Sequence, residues 1–498
     1  MSKENYAKYV STLQKIADVN YATAVLGWDK EVHLPEGSAA RRSQQMATLS
    51  GIVHEMATSK DLGDLLNTLN DQNGLNERER CNVSESLKDY QKTQKFTTDF
   101  VINKSQKVSA TYHGWIEARK ANDFNVYAKQ LENLVEVAKQ EADILGYENH
   151  PLDALLDLYD PGSTVENVSR VFDGVKPNLI ELLNKIKACP QVDDSLMKKY
   201  YPKDKQWDFG MFLLEQMGYN FKNGRQDISP HPFTTSFSSE DVRVTTRIDE
   251  NNFYDMTWSC VHEGGHALYE QGLRAEDYGL PTGSAESLSV HESQSRLWEN
   301  NVARGKGYWQ ANFSKLQSYF PDNLNGVSVD EFYKCINKVE SSLIRTDADE
   351  ITYHFHVIIR YEIEKGLMDG SIKVKDLREV WNSKYKAYLG VDVPSDNKGV
   401  LQDVHWAHGS IGYFPTYTLG SFYAAQYFEQ AAKEIPTLQA DIANGKLLEL
   451  RNWLKDKIHD HGRLYNAEEL CKKVTGKGLD PDCFMKYATE KYSKIYGF

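Results

Sequence analysis

Two histidines in the segment SCVHEGGHALYEQ, residues 259 to 271, are spaced so that they could bind one metal ion. Positions four apart in an α-helix lie about 40° from each other around the axis, one turn apart, so His262 and His266 would face the same side. Glu263 lies about 100° further round, where it can accept a proton from a metal-activated water but is poorly placed as a ligand. The pattern is typical of zinc sites that hydrolyse amide bonds.

A catalytic zinc ion usually has three protein ligands and one open position, so the two histidines require a third donor. The segment SAESLSVHESQSRLWENN, which starts at residue 284, is predicted to be helical and contains Glu286, His291, Glu292 and Glu299. Spacing alone allows any of the four to reach the metal, although a single carboxylate on an amphipathic helix is more often exposed to solvent. The six cysteines are scattered without a C-x-x-C pair, so neither thiolate ligands nor a disulfide framework is expected.

The motif helix itself needs a buried face and close neighbours. Gly264 and Gly265 each cost about 1 kcal/mol relative to alanine inside a helix. Their presence predicts that a strand or a substrate backbone approaches the helix closely. The apolar side chains that can anchor it against a core are Trp258, Val261, Ala267 and Leu268.

Helical periodicity dominates the remainder of the chain, and the N-terminal 200 residues are predicted to be stacked helices. The segment HPFTTSFSSEDVRVTTRID, from residue 231, is rich in Thr, Ser and Val and predicts a short sheet or hairpin beside the motif helix. Further helices are predicted at 255–271, 286–301, 329–345, 347–368, 374–389 and 421–435, with a loop at 390–399. The fold class is therefore mainly α with a small sheet, in a single domain over residues 1–498.

Composition excludes several classes of partner. Asp and Glu number 71 against 58 Lys and Arg, a net charge of −13, which argues against nucleic acids and anionic membranes because phosphate contacts need clustered cations. The N-terminus lacks the apolar core of a signal peptide, and no apolar run approaches the roughly 20 residues of a membrane span. These features predict a cytoplasmic protein that binds a small or peptide ligand.

Six short motifs follow one another along the chain. They are HPF at 231–233, DVRVT at 241–245, HEGGH at 262–266, HESQ at 291–294, IRTDAD at 344–349 and GVLQDVHW at 399–406. In this order they resemble the motifs of the M32 family of metallocarboxypeptidases, the Taq-type thermostable carboxypeptidases. Family members have about this length, so the resemblance covers the whole chain.

The resemblance implies that His262, His266 and Glu292 bind Zn²⁺, for which Co²⁺ could substitute, and that Glu263 is the general base. It also implies a helical fold similar to neurolysin and angiotensin-converting enzyme. In such a fold the helices of about 1–200 form one side of a deep groove, and about 201–498 carries the catalytic motifs. The implied substrates are peptides with a free C-terminus, from which the enzyme releases C-terminal amino acids, and the implied assembly is a homodimer.

Attack on a peptide carbonyl also requires donors that stabilise the oxyanion. The segment GYFPTYTLG at 412–420 offers Tyr413 and Tyr417, and the HPF motif offers His231. A single tyrosine is more often a packing residue with a satisfied hydroxyl. Their positions relative to the family motifs favour Tyr417 and His231.

Recognition of a terminal carboxylate favours arginine, because a guanidinium binds it with two parallel hydrogen bonds. Arg345, Arg243 and Arg247 are available, and Arg345 resembles the active-site arginine of the family. The alternative is that each arginine pairs with a local acid, Arg345 with Asp347 or Asp349 and Arg243 with Asp241. A buried shell behind the site is predicted to contain Asp241, Arg243, Asp403 and His405.

Two other functions remain compatible with these residues. Related helical folds use the same ligands to remove dipeptides or to cut internally, so a zinc oligopeptidase is one alternative. A helical binding protein that retains the motifs without activity is the other.

Overall fold

α-Helices account for most of the protein, as the apolar spacing predicts, and the computed structural model describes residues 2–498. Before the sheet the helices are α1 (Ser2–Val32), α2 (Ala39–Ala57), α3 (Lys60–Asn70), α4 (Glu77–Gln94), α5 (Thr98–Ala121), α6 (Asn125–Leu145), α7 (Pro151–Leu156), α8 (Val165–Lys187) and α9 (Lys203–Met217). After it they are α10 (Phe253–Gly272), α11 (Leu288–Arg296), α12 (Lys306–Tyr319), α13 (Pro321–Leu324), α14 (Val329–Cys335), α15 (Thr352–Asp369), α16 (Leu377–Leu389), α17 (Pro415–Glu434), α18 (Leu438–Ala443), α19 (Leu448–Lys457), α20 (Ala467–Thr475) and α21 (Asp482–Tyr496).

A three-stranded sheet precedes α10. Its strands are β1 (Gly224–Ile228), β2 (Thr234–Ser238) and β3 (Asp241–Thr246), in the order β1-β3-β2. The predicted hairpin is the antiparallel pair β2 and β3, while β1 pairs in parallel with β3. The sequence did not predict β1, because Gly-Arg-Gln-Asp-Ile is short and lacks alternating apolar residues.

Helix α10, which carries both motif histidines, packs against β2, β3, α9 and α11. The four predicted anchor residues are buried: Trp258, Val261, Ala267 and Leu268. The helix is therefore held on several sides, and its histidines project from a fixed backbone.

The two glycines of α10 permit close packing, as predicted, but the neighbour is a helix. A Cβ atom on Gly265 would lie 2.6 Å from Ser295 Cα and 2.8 Å from the Gln294 carbonyl oxygen, both on the α11 backbone. A Cβ on Gly264 would lie 2.8 Å from Leu214 Cδ2 and 3.0 Å from Met217 Cε on α9. Gly265 thus sets the spacing between α10 and α11.

Several predicted helices have different ends in the structure. The helix predicted at 347–368 begins at Thr352, and the helix predicted at 421–435 begins at Pro415. The helix predicted at 329–345 stops at Cys335. The N–H groups of Val339 and Glu340 donate instead to the Tyr496 hydroxyl and the Asp349 carboxylate, at 2.8 and 3.0 Å. These tertiary contacts replace the helical hydrogen bonds. The helix predicted at 286–301 begins at Leu288 and continues after α11 as a π-helix, Leu297–Ala303.

The chain forms two compact units, each built from segments distant in sequence. Unit 1 comprises the chain up to Gln94, Asp193–Ile336 and Tyr423–Leu479; unit 2 comprises Lys95–Val192, Asn337–Phe422 and Asp480–Phe498. The single domain, its division near residue 200 and the groove stay predictions.

No helix within residues 2–498 is both long and apolar enough to cross a membrane. The cytoplasmic location also stays a prediction.

Candidate active site

The three side chains predicted to bind the metal meet between α10 and α11, in unit 1. Glu292 Oε2 lies 3.7 Å from His262 Nε2 and 3.6 Å from His266 Nε2. One ligand atom from each residue lies within 4.8 Å of the other two. Within residues 2–498, no other group of three or more potential metal ligands is gathered in this way.

The chemistry and spacing of these donors fit a zinc ion. Zinc binds imidazole nitrogen at about 2.0–2.1 Å and carboxylate oxygen at about 2.0–2.2 Å, so tetrahedral ligands lie roughly 3.4 Å apart. The observed separations of 3.6 and 3.7 Å need only small side-chain adjustments. Burial holds the pKa of His266 well below its usual range, which favours the neutral form that binds metals. Burial also disfavours the charged form of His262, but Glu292 and Glu299 outweigh it and raise the pKa of this histidine.

A second carboxylate orients His262 from the side opposite the metal position. Glu299 Oε2 lies 2.9 Å from His262 Nδ1. Arg296 and Arg304 also donate to Glu299, at 3.1 and 3.2 Å. Burial favours a raised pKa for Glu299, but the two arginines and His262 outweigh it and hold the pKa far below its ordinary value. The ionised carboxylate therefore accepts the Nδ1 proton and leaves Nε2 for the metal.

Arg296 also supports the third ligand directly. Its Nε donates to Glu292 Oε1 at 2.6 Å, while Oε2 of the same carboxylate faces the two histidines. Arg296 lies four residues after Glu292 and three before Glu299, so one guanidinium contacts both carboxylates along one helical face.

His266 is supported by a chain of hydrogen bonds that begins at Nδ1. His291 Nδ1 lies 2.5 Å from His266 Nδ1, and His291 Nε2 lies 2.8 Å from Glu270 Oε1. The Ser236 hydroxyl donates to Glu270 Oε2 at 2.7 Å. Burial favours a raised pKa for Glu270, but His291 and Ser236 outweigh it, so this pKa lies below its ordinary value. His291, one of the four possible third ligands, thus contacts a motif histidine through its side chain.

Glu263, the predicted general base, is held by the first residue of β2. The Thr234 hydroxyl lies 2.7 Å from Glu263 Oε2 and 2.9 Å from the Glu263 carbonyl oxygen. Burial raises the pKa of Glu263, and the favourable contacts with His262 and Thr234 compensate only in part. A raised pKa suits a group that must accept and later return a proton.

Arg345 belongs to unit 2, where its side chain is buried and three of its N–H groups donate to neighbouring side chains. Nε and Nη2 donate to Asp403 Oδ1 at 3.1 and 2.9 Å, and Nη1 donates to the Tyr353 hydroxyl at 2.9 Å. Arg360 donates to Asp403 Oδ2 at 2.6 Å. The alternative pairing of Arg345 with Asp347 or Asp349 is therefore wrong, because the partner carboxylate is Asp403.

Tyr417 also lies in unit 2, beside Arg345. Its hydroxyl is 3.1 Å from His405 Nε2, and its ring centroid is 5.0 Å from Arg345 Cζ. Burial and the charge of Arg345 lower the pKa of His405 to about 3, so this histidine is neutral near pH 7. Asp403 and His405, two of the four residues predicted to form a buried shell, lie together here, whereas Asp241 and Arg243 lie in unit 1.

The remaining predicted residues lie in unit 1. His231 is exposed between β1 and β2, and its carbonyl oxygen accepts a hydrogen bond from Ser229 at 2.6 Å. Arg243 pairs with Asp241 through two hydrogen bonds of 2.9 and 2.8 Å, as the alternative interpretation predicted. The third candidate arginine, Arg247, pairs with Asp255.

The chain is similar to known proteins over nearly its whole length. The family described as Carboxypeptidase Taq (M32) metallopeptidase matches residues 8–492. Carboxypeptidase 1 of Bacillus subtilis (strain 168) is 35% identical over 503 residues, which is 100% of both chains. The chain belongs to the M32 family. Thermostable carboxypeptidase 1 of Pyrococcus furiosus is 35% identical over 98% of both chains.

The crystal structure of the M32 carboxypeptidase from Deinococcus radiodurans R1 has the same fold as this M32 protein. The TM-score is 0.98 at 38% identity, and the match covers 99% of this chain and 100% of that one. The predictions of an M32 metallocarboxypeptidase and of a mainly helical fold are therefore confirmed.

Sequence reasoning missed several residues that surround the metal position of this carboxypeptidase. Arg296 was detectable in principle, because its spacing from Glu292 and Glu299 is that of ion pairs on one helix. Thr234 and Glu270 gave no local signal. Each contacts its partner only because a strand or a second helix packs against α10.

Proposed function

We propose that this M32 carboxypeptidase is a zinc enzyme in which His262, His266 and Glu292 bind the metal and Glu263 is the general base. The observation that carries the proposal is the convergence of these three donors between two helices packed at a glycine. A zinc ion held there supplies Lewis-acid activation of the attacking water and of the scissile carbonyl. Cobalt, which accepts the same ligands, is expected to substitute for zinc.

Glu263 is assigned the proton transfers. Thr234 fixes Glu263 Oε2, so we assign Oε1 as the atom that accepts the proton of the attacking water. The same carboxyl group then returns the proton to the leaving amine, which must be protonated before the peptide bond can break. The raised pKa of Glu263 brings its proton affinity closer to that required by both steps.

Arg345 is proposed to bind the terminal carboxylate of the peptide, and the charge of its cluster supports this role. Arg345 and Arg360 share one carboxylate, Asp403, while His405 is neutral. These four side chains therefore carry one unbalanced positive charge. A peptide carboxylate would neutralise it through a charge-assisted hydrogen bond.

Tyr417 is the proposed donor to the oxyanion, with His231 as a second donor. A tyrosine hydroxyl can accept one hydrogen bond and donate another. If the proton of Tyr417 turns to the substrate, its contact with the neutral His405 is released.

A double-mutant cycle tests the role of Arg345. The value of kcat/KM is measured for one peptide as the free acid and as the C-terminal amide, with the wild type and Arg345→Ala. Loss of a charge-assisted contact costs about 1.5 to 3 kcal/mol, or roughly ten- to a hundredfold. Amidation should produce that loss in the wild type and little further loss in Arg345→Ala.

Arg243→Ala is the matched comparison, because Arg243 is another candidate arginine and also forms a two-bond pair with a carboxylate. It should retain the full sensitivity to amidation. Additive losses in Arg345→Ala, together with insensitivity of Arg243→Ala to amidation, would transfer the role to Arg243.

We also propose that the protein acts as a homodimer, on the basis of its family resemblance. Light scattering on the purified protein tests this directly. The mass of a single chain across the micromolar range would contradict it.

A further inference from the structure

The hydrogen bonds behind His266 cross three elements, and each bond restricts the next. Ser236 on β2 contacts Glu270 on α10, Glu270 contacts His291 on α11, and His291 contacts His266 on α10. Glu270 also lies one helical turn after His266. The chain of contacts therefore leaves α10 and returns to it through the helix that carries Glu292.

The proton positions follow from the chemistry of each group. An ionised carboxylate only accepts hydrogen bonds, so His291 must carry a proton on Nε2, the atom 2.8 Å from Glu270. An imidazole that carries only this proton has a lone pair on Nδ1, and His291 Nδ1 lies where it can accept a hydrogen bond from Nδ1 of His266. With its proton on Nδ1, neutral His266 presents a lone pair at Nε2.

That lone pair is directed to the proposed metal position. His266 Nε2 is the atom 3.6 Å from Glu292 Oε2. A metal ligand must donate a lone pair, so metal binding requires the same tautomer that Glu270 favours. The tautomer of His266 that the hydrogen bonds from Glu270 favour is therefore the one that metal binding requires.

We propose that Glu270, acting through His291, is a positioning residue that holds His266 in its metal-binding tautomer and orientation. The inference rests on the proposed metal site and adds residues that lie outside its ligand set. Without the acceptor at Glu270, neutral His291 can move its proton to Nδ1 and donate to His266. The proton of His266 then moves to Nε2, where it competes with the metal.

Four variants test the proposal through metal affinity. Glu270→Met and His291→Phe remove an acceptor while keeping similar bulk. Glu270→Gln retains an acceptor oxygen, because its amide N–H₂ can donate to the Ser236 hydroxyl. Tyr269→Phe is the control: its ring lies 5.1 Å from His291, but its hydroxyl accepts a hydrogen bond from the Glu286 N–H, outside the chain of contacts.

The zinc Kd of each purified protein is measured by competition with a chelating dye, and the visible spectrum of the Co²⁺-loaded protein reports the ligand geometry. Removing support behind a metal-binding histidine typically weakens affinity about ten- to a hundredfold. Glu270→Met and His291→Phe should show this loss with an altered cobalt spectrum. Glu270→Gln should lie closer to the wild type, and Tyr269→Phe should match it.

Two outcomes would overturn the proposal in distinguishable ways. If the wild type binds zinc and His262→Ala abolishes binding, but Glu270→Met and His291→Phe retain the wild-type Kd, the metal site stands and the positioning role fails. If His262→Ala leaves zinc binding unchanged, the proposed metal site itself fails. Circular dichroism shows whether each variant is folded. Because Glu270 and His291 lie on different helices, the zinc Kd of one variant still tests the positioning role if the other variant fails to fold.

Discussion

Replacement of Gly265 by alanine should weaken metal binding by moving one helix relative to another. The new Cβ would lie 2.6 Å from Ser295 Cα and 2.8 Å from the Gln294 carbonyl oxygen. Carbon atoms in contact are about 3.5–4.0 Å apart, so the α11 backbone must retreat by roughly 1 Å. Backbone atoms, unlike a side-chain end, cannot rotate away.

The shift acts directly on the metal position, because Glu292 lies on α11 and both histidines lie on α10. A metal site tolerates changes of about 0.2 Å in ligand distance, well below the roughly 1 Å displacement. Overpacking costs about 1–3 kcal/mol, while alanine regains about 1 kcal/mol of helix propensity. Overall stability should therefore fall by at most about 2 kcal/mol, whereas zinc affinity should fall about ten- to a hundredfold, as when support for a ligand is removed.

Gly264→Ala is the matched control. Its Cβ would meet Leu214 Cδ2 and Met217 Cε, the ends of flexible side chains that can rotate. The zinc Kd of both variants is measured by chelator competition, with thermal unfolding of the metal-free proteins in parallel. Gly265→Ala should bind zinc weakly, and Gly264→Ala should resemble the wild type. Equal Kd values would refute the argument that the α11 backbone at Gly265 sets the metal geometry.

Two further predictions concern Glu263, the proposed base, and Glu364, a buried carboxyl group of unit 2. Glu263→Gln should bind zinc with wild-type stoichiometry but lose most turnover. Thr234→Val should lower kcat and Thr234→Ser should not, because only serine keeps a hydroxyl near Glu263. Equal kcat in the two Thr234 variants would contradict a role for this contact. Burial raises the pKa of Glu364 to about 8 from an ordinary 4.5, so its contribution to stability is complete below pH 4.5 and is lost as the pH rises to about 8. Denaturant unfolding between pH 5 and 8 tests this. The free energy of unfolding of the wild type should fall relative to that of Glu364→Gln by up to about 1.4 kcal/mol per pH unit. If the two free energies change with pH in parallel, the raised pKa of Glu364 is excluded.

The part of the site that lies on one helix could be predicted from the sequence. The spacing of His262 and His266 determines their common face wherever the segment is helical, and the cost of Gly265 in a helix indicated a close neighbour. The identity of that neighbour depended on tertiary packing. The prediction offered a strand or a substrate, and the structure has the α11 backbone.

Contacts between elements could not be predicted by the same reasoning. Spacing left four possible third ligands, from which only the family resemblance selected Glu292. In the structure, the packing of α11 on α10 brings Glu292 to both histidines. The alternative pairing of Arg345 with Asp347 or Asp349 rested on their closeness in sequence, but its partner Asp403 is 58 positions away. Burial decides such pairings, since an arginine removed from water requires a carboxylate wherever the fold supplies one.

The charges around the metal position explain why several supporting groups are needed. Four carboxylates surround the metal position. Glu292 is a proposed ligand, Glu299 contacts the ligand His262, Glu270 acts on the ligand His266 through His291, and Glu263 is the proposed base. Two arginines, Arg296 and Arg304, contact this set. With the four carboxylates ionised and the imidazoles neutral, as metal binding requires, the group carries two unbalanced negative charges, which a divalent cation would cancel. Each ionised carboxylate is costly to bury without partners, and the arginines reduce that cost for Glu292 and Glu299 without occupying the position between the histidines. The arrangement therefore favours a divalent ion over a monovalent one, since only a double charge brings this buried group to neutrality.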